Sequence, residues 1–221
     1  MTSVLLSLSA VLAAAALGAP VAGAAPQADR PAAVPSGWEA VDGAELARIT
    51  GEAESLRAPS ATGEALSASA DEPELLAVQS VRNGKFTATE LNYAAPNTGA
   101  LRARSAAYGG AWEGFAFEWD ATTETYALKS LANNLYVAVE KNFTGSAQNV
   151  LRARSASAGG WERFEMYHNA ELDHYALRST LNGLFVTMEN SYTGSLQYVL
   201  RARSADITGA WETFVLYDIS A

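Results

Sequence analysis

Leu101-Arg102-Ala103-Arg104-Ser105 recurs unchanged as Leu151–Ser155 and as Leu200–Ser204, at steps of 50 and 49 residues. Three further markers keep that period. Trp-Glu-x-Phe follows each copy, ending at Phe115, Phe164 and Phe214. A turn dipeptide precedes each copy: Asn83-Gly84, Asn133-Asn134 and Asn182-Gly183. Glu90, Glu140 and Glu189 stand on the strand after each turn. Four markers in register define a threefold internal repeat. The Asn-Gly dipeptides suit two-residue type I′ hairpins, whose central residues both need positive φ.

Each repeat reads as four short strands. In the second these are Tyr126–Leu131, Leu135–Glu140, Val150–Ser155 and Glu162–Tyr167. The alternation has the period of two that places one face in a core. In LRARS, Leu and Ala point one way and the two arginines the other. A repeat of this kind cannot bury its apolar face alone, so three units must close on one core. Propellers of four-stranded blades generally need at least four blades. Three repeats of about 50 residues predict an all-β chain with the β-trefoil architecture, over residues 73–221.

The same residues carry a family likeness. Tyr126–Glu140 (YALKSLANNLYVAVE), then LRARS, then WERF at Trp161–Phe164, resembles the fascin-like β-trefoil family. The likeness runs from about Leu75 to Tyr217. It implies the trefoil fold and a protein-interaction role of the actin-binding type. Eukaryotic fascins bundle actin with four such trefoils, whereas this chain holds one. Ricin-type lectin trefoils are a near neighbour, but their Gln-x-Trp motif and paired cysteines are absent here. A fold that hosts many functions decides little by itself.

Outside the repeats the composition changes. The chain has 221 residues, is 49% hydrophobic and 18% charged, and carries a net charge of −9. These values exclude a disordered chain, and the acidity argues against a nucleic-acid partner. With no cysteine, disulfides, thiolate metal sites and a thiol nucleophile are excluded. Residues 1–24 are free of charge and end in Ala22-Gly23-Ala24, the small-x-small pattern of a secretory signal cleaved after Ala24. The apolar run is too short for a membrane span. The expectation is export to the extracellular medium, as a monomer without membrane insertion. Residues 25–72 hold nine acids, three arginines and one aromatic, Trp38. That composition reads as an acidic Ala/Pro-rich linker or pro-segment, in which 43–57 approximates helical spacing.

Catalytic signals are thin. His168 and His174 read as solvated loop residues, with no metal-binding pattern around them, and no cofactor motif is present. The repeated acids, Glu90, Glu140 and Glu189 with Glu113, Glu162 and Glu212, read as ion-pair partners of the repeated arginines. Catalytic carboxylates need unlike environments, which threefold equivalence denies them. No catalytic residue is therefore assigned. The repeated Trp112, Trp161 and Trp211 are assigned to the core. Positions that break the symmetry make better ligand-binding candidates. Trp119 replaces His168 and Asp218 of the other repeats, and Tyr198 replaces Gly99 and Asn149. Tyr93, Phe143 and Tyr192 follow the second strand of each repeat, close to the amides of Asn142, Gln148 and Gln197. Aromatic faces beside amides are the usual grip on a sugar ring. These hairpin aromatics could equally plug the open end of the barrel. The expected partner is a glycan or a protein.

Overall fold

The computed structural model describes residues 34–57 and 72–220. The first repeat comprises β2 (Glu74–Ser80), β3 (Lys85–Glu90), β4 (Ala100–Ser105) and β5 (Gly114–Asp120). The second comprises β6 (Thr125–Ser130), β7 (Leu135–Val139), β8 (Leu151–Ser155) and β9 (Arg163–Asn169). The third comprises β10 (His174–Ser179), β11 (Phe185–Met188), β12 (Leu200–Ser204) and β13 (Phe214–Asp218). The outer strands of the repeats pair in a ring, β2–β13–β10–β9–β6–β5 and back to β2. That ring is a closed six-stranded barrel. The inner strands form the hairpins β3–β4, β7–β8 and β11–β12, which cap one end. Each hairpin has a bulge at the same place, between Phe86/Thr87, Tyr136/Val137 and Phe185/Val186. This is the β-trefoil.

The periodic apolar residues fill it. Leu101, Leu151 and Leu200 of LRARS meet Phe115, Phe164 and Phe214 in one core with Val78, Leu128 and Leu177. The turns differ from the two-residue type expected. In each, the glycine or second asparagine alone has positive φ, 65° at Gly84, 58° at Asn134 and 69° at Gly183. Gly84 N–H donates back to Ser80 O at 2.9 Å, so the loop is a longer one. The first asparagine serves by its side chain instead. Asn83, Asn133 and Asn182 each donate Nδ2–H to the LRARS carbonyl of Ala103, Ala153 or Ala202 at 2.9 Å.

The segment before the repeats departs most from the sequence expectation. Residues 34–57 are not a solvated spacer; they fold onto the barrel. β1 (Glu39–Ala40) pairs antiparallel with β9 at His168 and Tyr167, and Val41 N–H extends the edge to Met166 O at 3.0 Å. α1 (Gly43–Arg57) follows. Asp42 caps it, its Oδ1 accepting from Glu45 N–H at 2.8 Å, and leaves one fewer unsatisfied donor at the helix start. The β5–β6 turn, the β9–β10 turn and the two ends of the repeat region all lie at the uncapped end of the barrel. α1 closes that end. Leu46 is 0% exposed, and it joins Val41, Ile49, Tyr126, Met166 and Tyr175 in the main core. A segment with one aromatic cannot fold alone, but it needs no core of its own when the barrel mouth supplies one. Residues 1–33 and 58–71, including the expected signal and its cleavage site, lie outside the described residues.

Candidate functional site

The cap is built from the arginines of LRARS. The buried carboxylate of Glu140 accepts from Arg152 Nη1 at 2.9 Å and from Arg154 Nε at 2.5 Å. Glu90 pairs likewise with Arg102 and Arg104, and Glu189 with Arg201 and Arg203. The ion pairing expected for these three acids is present. The first arginine of each copy is more than a surface charge, because Arg102 and Arg201 are themselves buried. Each donates Nε–H into the loop of the preceding repeat: Arg152 to Thr98 O at 2.9 Å, Arg201 to Gln148 O at 2.7 Å, and Arg102 to Gln197 O at 2.5 Å. The backbone repeats the link, Ala103 N–H to Tyr198 O, Ala153 N–H to Gly99 O and Ala202 N–H to Asn149 O. The third repeat thus closes on the first. Burial pushes the Glu189 carboxyl above its ordinary range, against the opposing pull of Arg203 and Arg201.

The hairpin aromatics belong to this machinery and do not plug the barrel mouth. The guanidinium carbons of Arg102, Arg152 and Arg201 lie 5.4, 5.5 and 5.6 Å from the rings of Tyr93, Phe143 and Tyr192. The two phenol oxygens also accept from Arg102 and Arg201. The guanidinium groups thus meet Tyr93 and Tyr192 at their hydroxyl edges and hold all three rings to the cap. Asn142 is exposed beside Phe143.

The second set of acids has another task. Glu113 accepts from Ser105 Oγ and from Gly109 N–H, Glu162 from Gly159 N–H, and Glu212 from Thr208 N–H. These carboxylates clamp the loops before the fourth strands instead of pairing with arginines. The clamped loop carries its tryptophan outward. Trp112 is 37% exposed, and Trp161 and Trp211 are half-buried, flanked by Arg154 and Arg82. The core assignment of these three does not hold, because the Phe three residues later fills the core. Trp119 shows the reverse. It is half-buried against the main core, its ring 4.8 Å from that of Tyr126, under the first turn of α1. It lies at the end of the barrel opposite the cap, away from the other candidates. His168 stacks on Tyr175 at 4.5 Å within the paired strands, so it is no loop residue.

Beside the cap, where the second repeat meets the third, lies a groove of about 450 Å³. Gln148, Asn149, Leu184, Arg201, Arg203 and Glu212 line it. The side-chain amides of Gln148 and Asn149 make no hydrogen bond among the described residues. The Arg203 side chain is 49% exposed. Two free amides, each with two donors and an acceptor, and an accessible guanidinium can meet several hydroxyls at once. Asn149 sits at φ 60°, in the column that holds Gly99 and Tyr198. At Gly99 an added Cβ would lie 2.6 Å from Ala153 O. The loop must pass this close for its carbonyl to reach the next LRARS strand, so the column is held left-handed. At the joint of the third and first repeats, Tyr198 takes that place beside Gln197, with Lys85 Nζ 5.4 Å from the ring centre. Of the residues expected to bind ligand, only Gln148 lines the groove. Asn149, Arg203 and Glu212, which also line it, were not among the residues expected; the same column that singled out Tyr198 also singled out Asn149.

Among the described residues no group of His, Asp and Glu is placed to hold a metal ion, and no helix is long and apolar enough to cross a membrane. No protein-family model and no curated protein matches the chain. Solved structures do. The designed threefold-symmetric protein ThreeFoil is 19% identical, with 66% of this chain and 99% of that chain covered and a TM-score of 0.52. A ricin B-like lectin of Macrolepiota procera, solved in complex with lactose, is 11% identical, with 66% and 95% covered and a TM-score of 0.50. A mosquitocidal holotoxin is 10% identical at a TM-score of 0.55, with 67% of this chain but 17% of the toxin covered. These likenesses agree on the fold. The fascin likeness rests on the sequence motifs alone.

Proposed function

We propose that the chain is an exported, non-catalytic module that binds carbohydrate in the groove between its second and third repeats. One observation carries the reading: the adjacent side-chain amides of Gln148 and Asn149 make no hydrogen bond among the described residues and lie beside a half-exposed Arg203. Each side-chain amide offers two donors and an acceptor, and the guanidinium further donors, a set that several adjacent sugar hydroxyls can satisfy at once. The Macrolepiota procera lectin, of the same fold, was solved with lactose, which supports the ligand class. The repeated carboxylates support a non-catalytic role, since arginines or loop amides hold them all. The test is a glycan array probed with the full chain and with a Gln148→Ala/Asn149→Ala variant. The variant should bind at least about tenfold more weakly, roughly 1.4 kcal/mol. Equal binding by both would remove the groove from the account. A second reading is a fascin-type protein-interaction module, favoured by the motif likeness and by exposed Tyr108 and Trp112 on one loop. Cosedimentation with filamentous actin distinguishes it.

A further inference from the structure

A second concavity exists because the N-terminal segment is docked. It measures about 280 Å³, and Trp38, Val81, Leu172, His174, Ile207 and Thr208 line it. Trp38 is fixed in place. Its N–H closes a turn on Pro35 O at 3.3 Å, and it packs with Val34 and Ile207 on the buried cluster of Tyr167, Ala176 and Phe185. Leu172 is 54% exposed, an apolar wall left open to solvent. The polar groups are available: neither the Trp38 indole N–H nor the His174 ring makes a hydrogen bond among the described residues. Thr208 Oγ1 donates to Glu212 and keeps its lone pairs. None of the lining residues is Asp, Glu, Lys or Arg. Its lining joins Val81 of the first repeat to His174, Ile207 and Thr208 of the third, and the sequence does not repeat it. Where the third has Ile207-Thr208, the first has Tyr108-Gly109 and the second Ala158-Gly159, and β1 pairs with β9.

We propose that this concavity is a second binding site, for a single neutral hexose unit, completed by Trp38 of the docked segment. The ligand class rests on the carbohydrate reading above. The size falls just below the usual range of ligand clefts, about 300–1,000 Å³, which suits one ring. An indole among aliphatic side chains takes the apolar C–H face of a pyranose. The imidazole, the indole N–H and the Thr208 oxygen meet its hydroxyls. A charged sugar would have no counter-charge among the lining residues. Glu212 joins the two sites, since it lines the groove and also holds Thr208.

The test is calorimetric titration of the full chain with methyl α- and β-glucoside, galactoside and mannoside. Four proteins are compared: the unaltered chain, Trp38→Ala, His174→Ala, and Gln148→Ala/Asn149→Ala. His174→Ala guards against a folding defect, because that side chain makes no hydrogen bond among the described residues that its loss could break. Two sites are expected in the unaltered chain. Trp38→Ala should remove one, His174→Ala should weaken that same site at least fivefold, and the amide variant should leave it intact. A single site abolished by the amide variant and indifferent to Trp38→Ala and His174→Ala overturns this proposal while upholding the groove. A single site lost in Trp38→Ala and weakened in His174→Ala, but kept in the amide variant, upholds it and removes the groove. No heat with any of the six sugars overturns it.

Discussion

Gly43→Ala tests whether α1 sits where it closes the barrel. Two effects oppose each other. Replacing a helical glycine by alanine stabilises by up to about 1 kcal/mol, less in the first turn. Against this, a Cβ on Gly43 would lie 2.8 Å from both Cγ and Cδ1 of Trp119 and 3.0 Å from its Cβ. These atoms are at the root of a rigid indole packed on Tyr126, so they cannot swing aside. Overpacking of this kind costs about 1–3 kcal/mol. The clash wins, and Gly43→Ala should destabilise by about 1–2 kcal/mol. For a chain of this size that is a fall of about 2–8 °C in Tm. Gly51 in the same helix is the control, since a Cβ there meets nothing within 4 Å. Gly51→Ala should gain about 0.5–1 kcal/mol. The assay is urea unfolding of both variants against the unaltered chain. If the two substitutions shift the midpoint equally in the stabilising direction, α1 does not lie on Trp119 and the closure described here is wrong.

Other outcomes follow from the same contacts. Glu140→Gln removes the buried charge facing Arg152 and Arg154 and should cost about 3 kcal/mol by denaturant melt. Trp119→Ala should cost about 2–3 kcal/mol and Trp161→Ala about 1 kcal/mol, because the first packs on the core and the second lies half in solvent; the reverse order would contradict the placement of both. Burial raises the Glu74 carboxyl above its ordinary range, Thr50 lowering it and Asp218 raising it further. A raised folded pKa gives stability that is present below the unfolded value and lost as pH rises through the folded one. Glu74→Gln should therefore be more stable than the unaltered chain at pH 7, and the advantage should vanish below the ordinary carboxyl pKa of about 4.3; an advantage independent of pH would refute the assignment.

The fold was legible because closure is written into the repeats. Three apolar faces at one period, none able to bury itself, leave few ways to close, and LRARS with Trp-Glu-x-Phe marks the strands. The chemistry between repeats was not legible. Alternation places Arg102 and Arg201 on an outer face, but the hairpin cap folds over them and gives them carbonyls from another repeat. The same folding ties Tyr93, Phe143 and Tyr192 to those arginines. Recurrence proved a poor guide to burial for tryptophan, because Phe115, Phe164 and Phe214 already fill the core and a clamped loop carries the indole outward. Trp119 looked exposed because its cover, α1, lies outside the repeats. That cover was hidden in turn, since Val41, Leu46 and Ile49 are too few to suggest a core until the open barrel mouth is known. The groove was half visible, through Gln148 and through the column that holds Asn149.

The most direct measurement is a crystal of the full chain soaked with a mixture of neutral oligosaccharides. The account predicts density for a sugar in the groove, its hydroxyls bonded to the amides of Gln148 and Asn149 and to Arg203. A sugar bound only elsewhere, against the hairpin aromatics of the cap for example, or a groove free of sugar at saturating concentration, would contradict it.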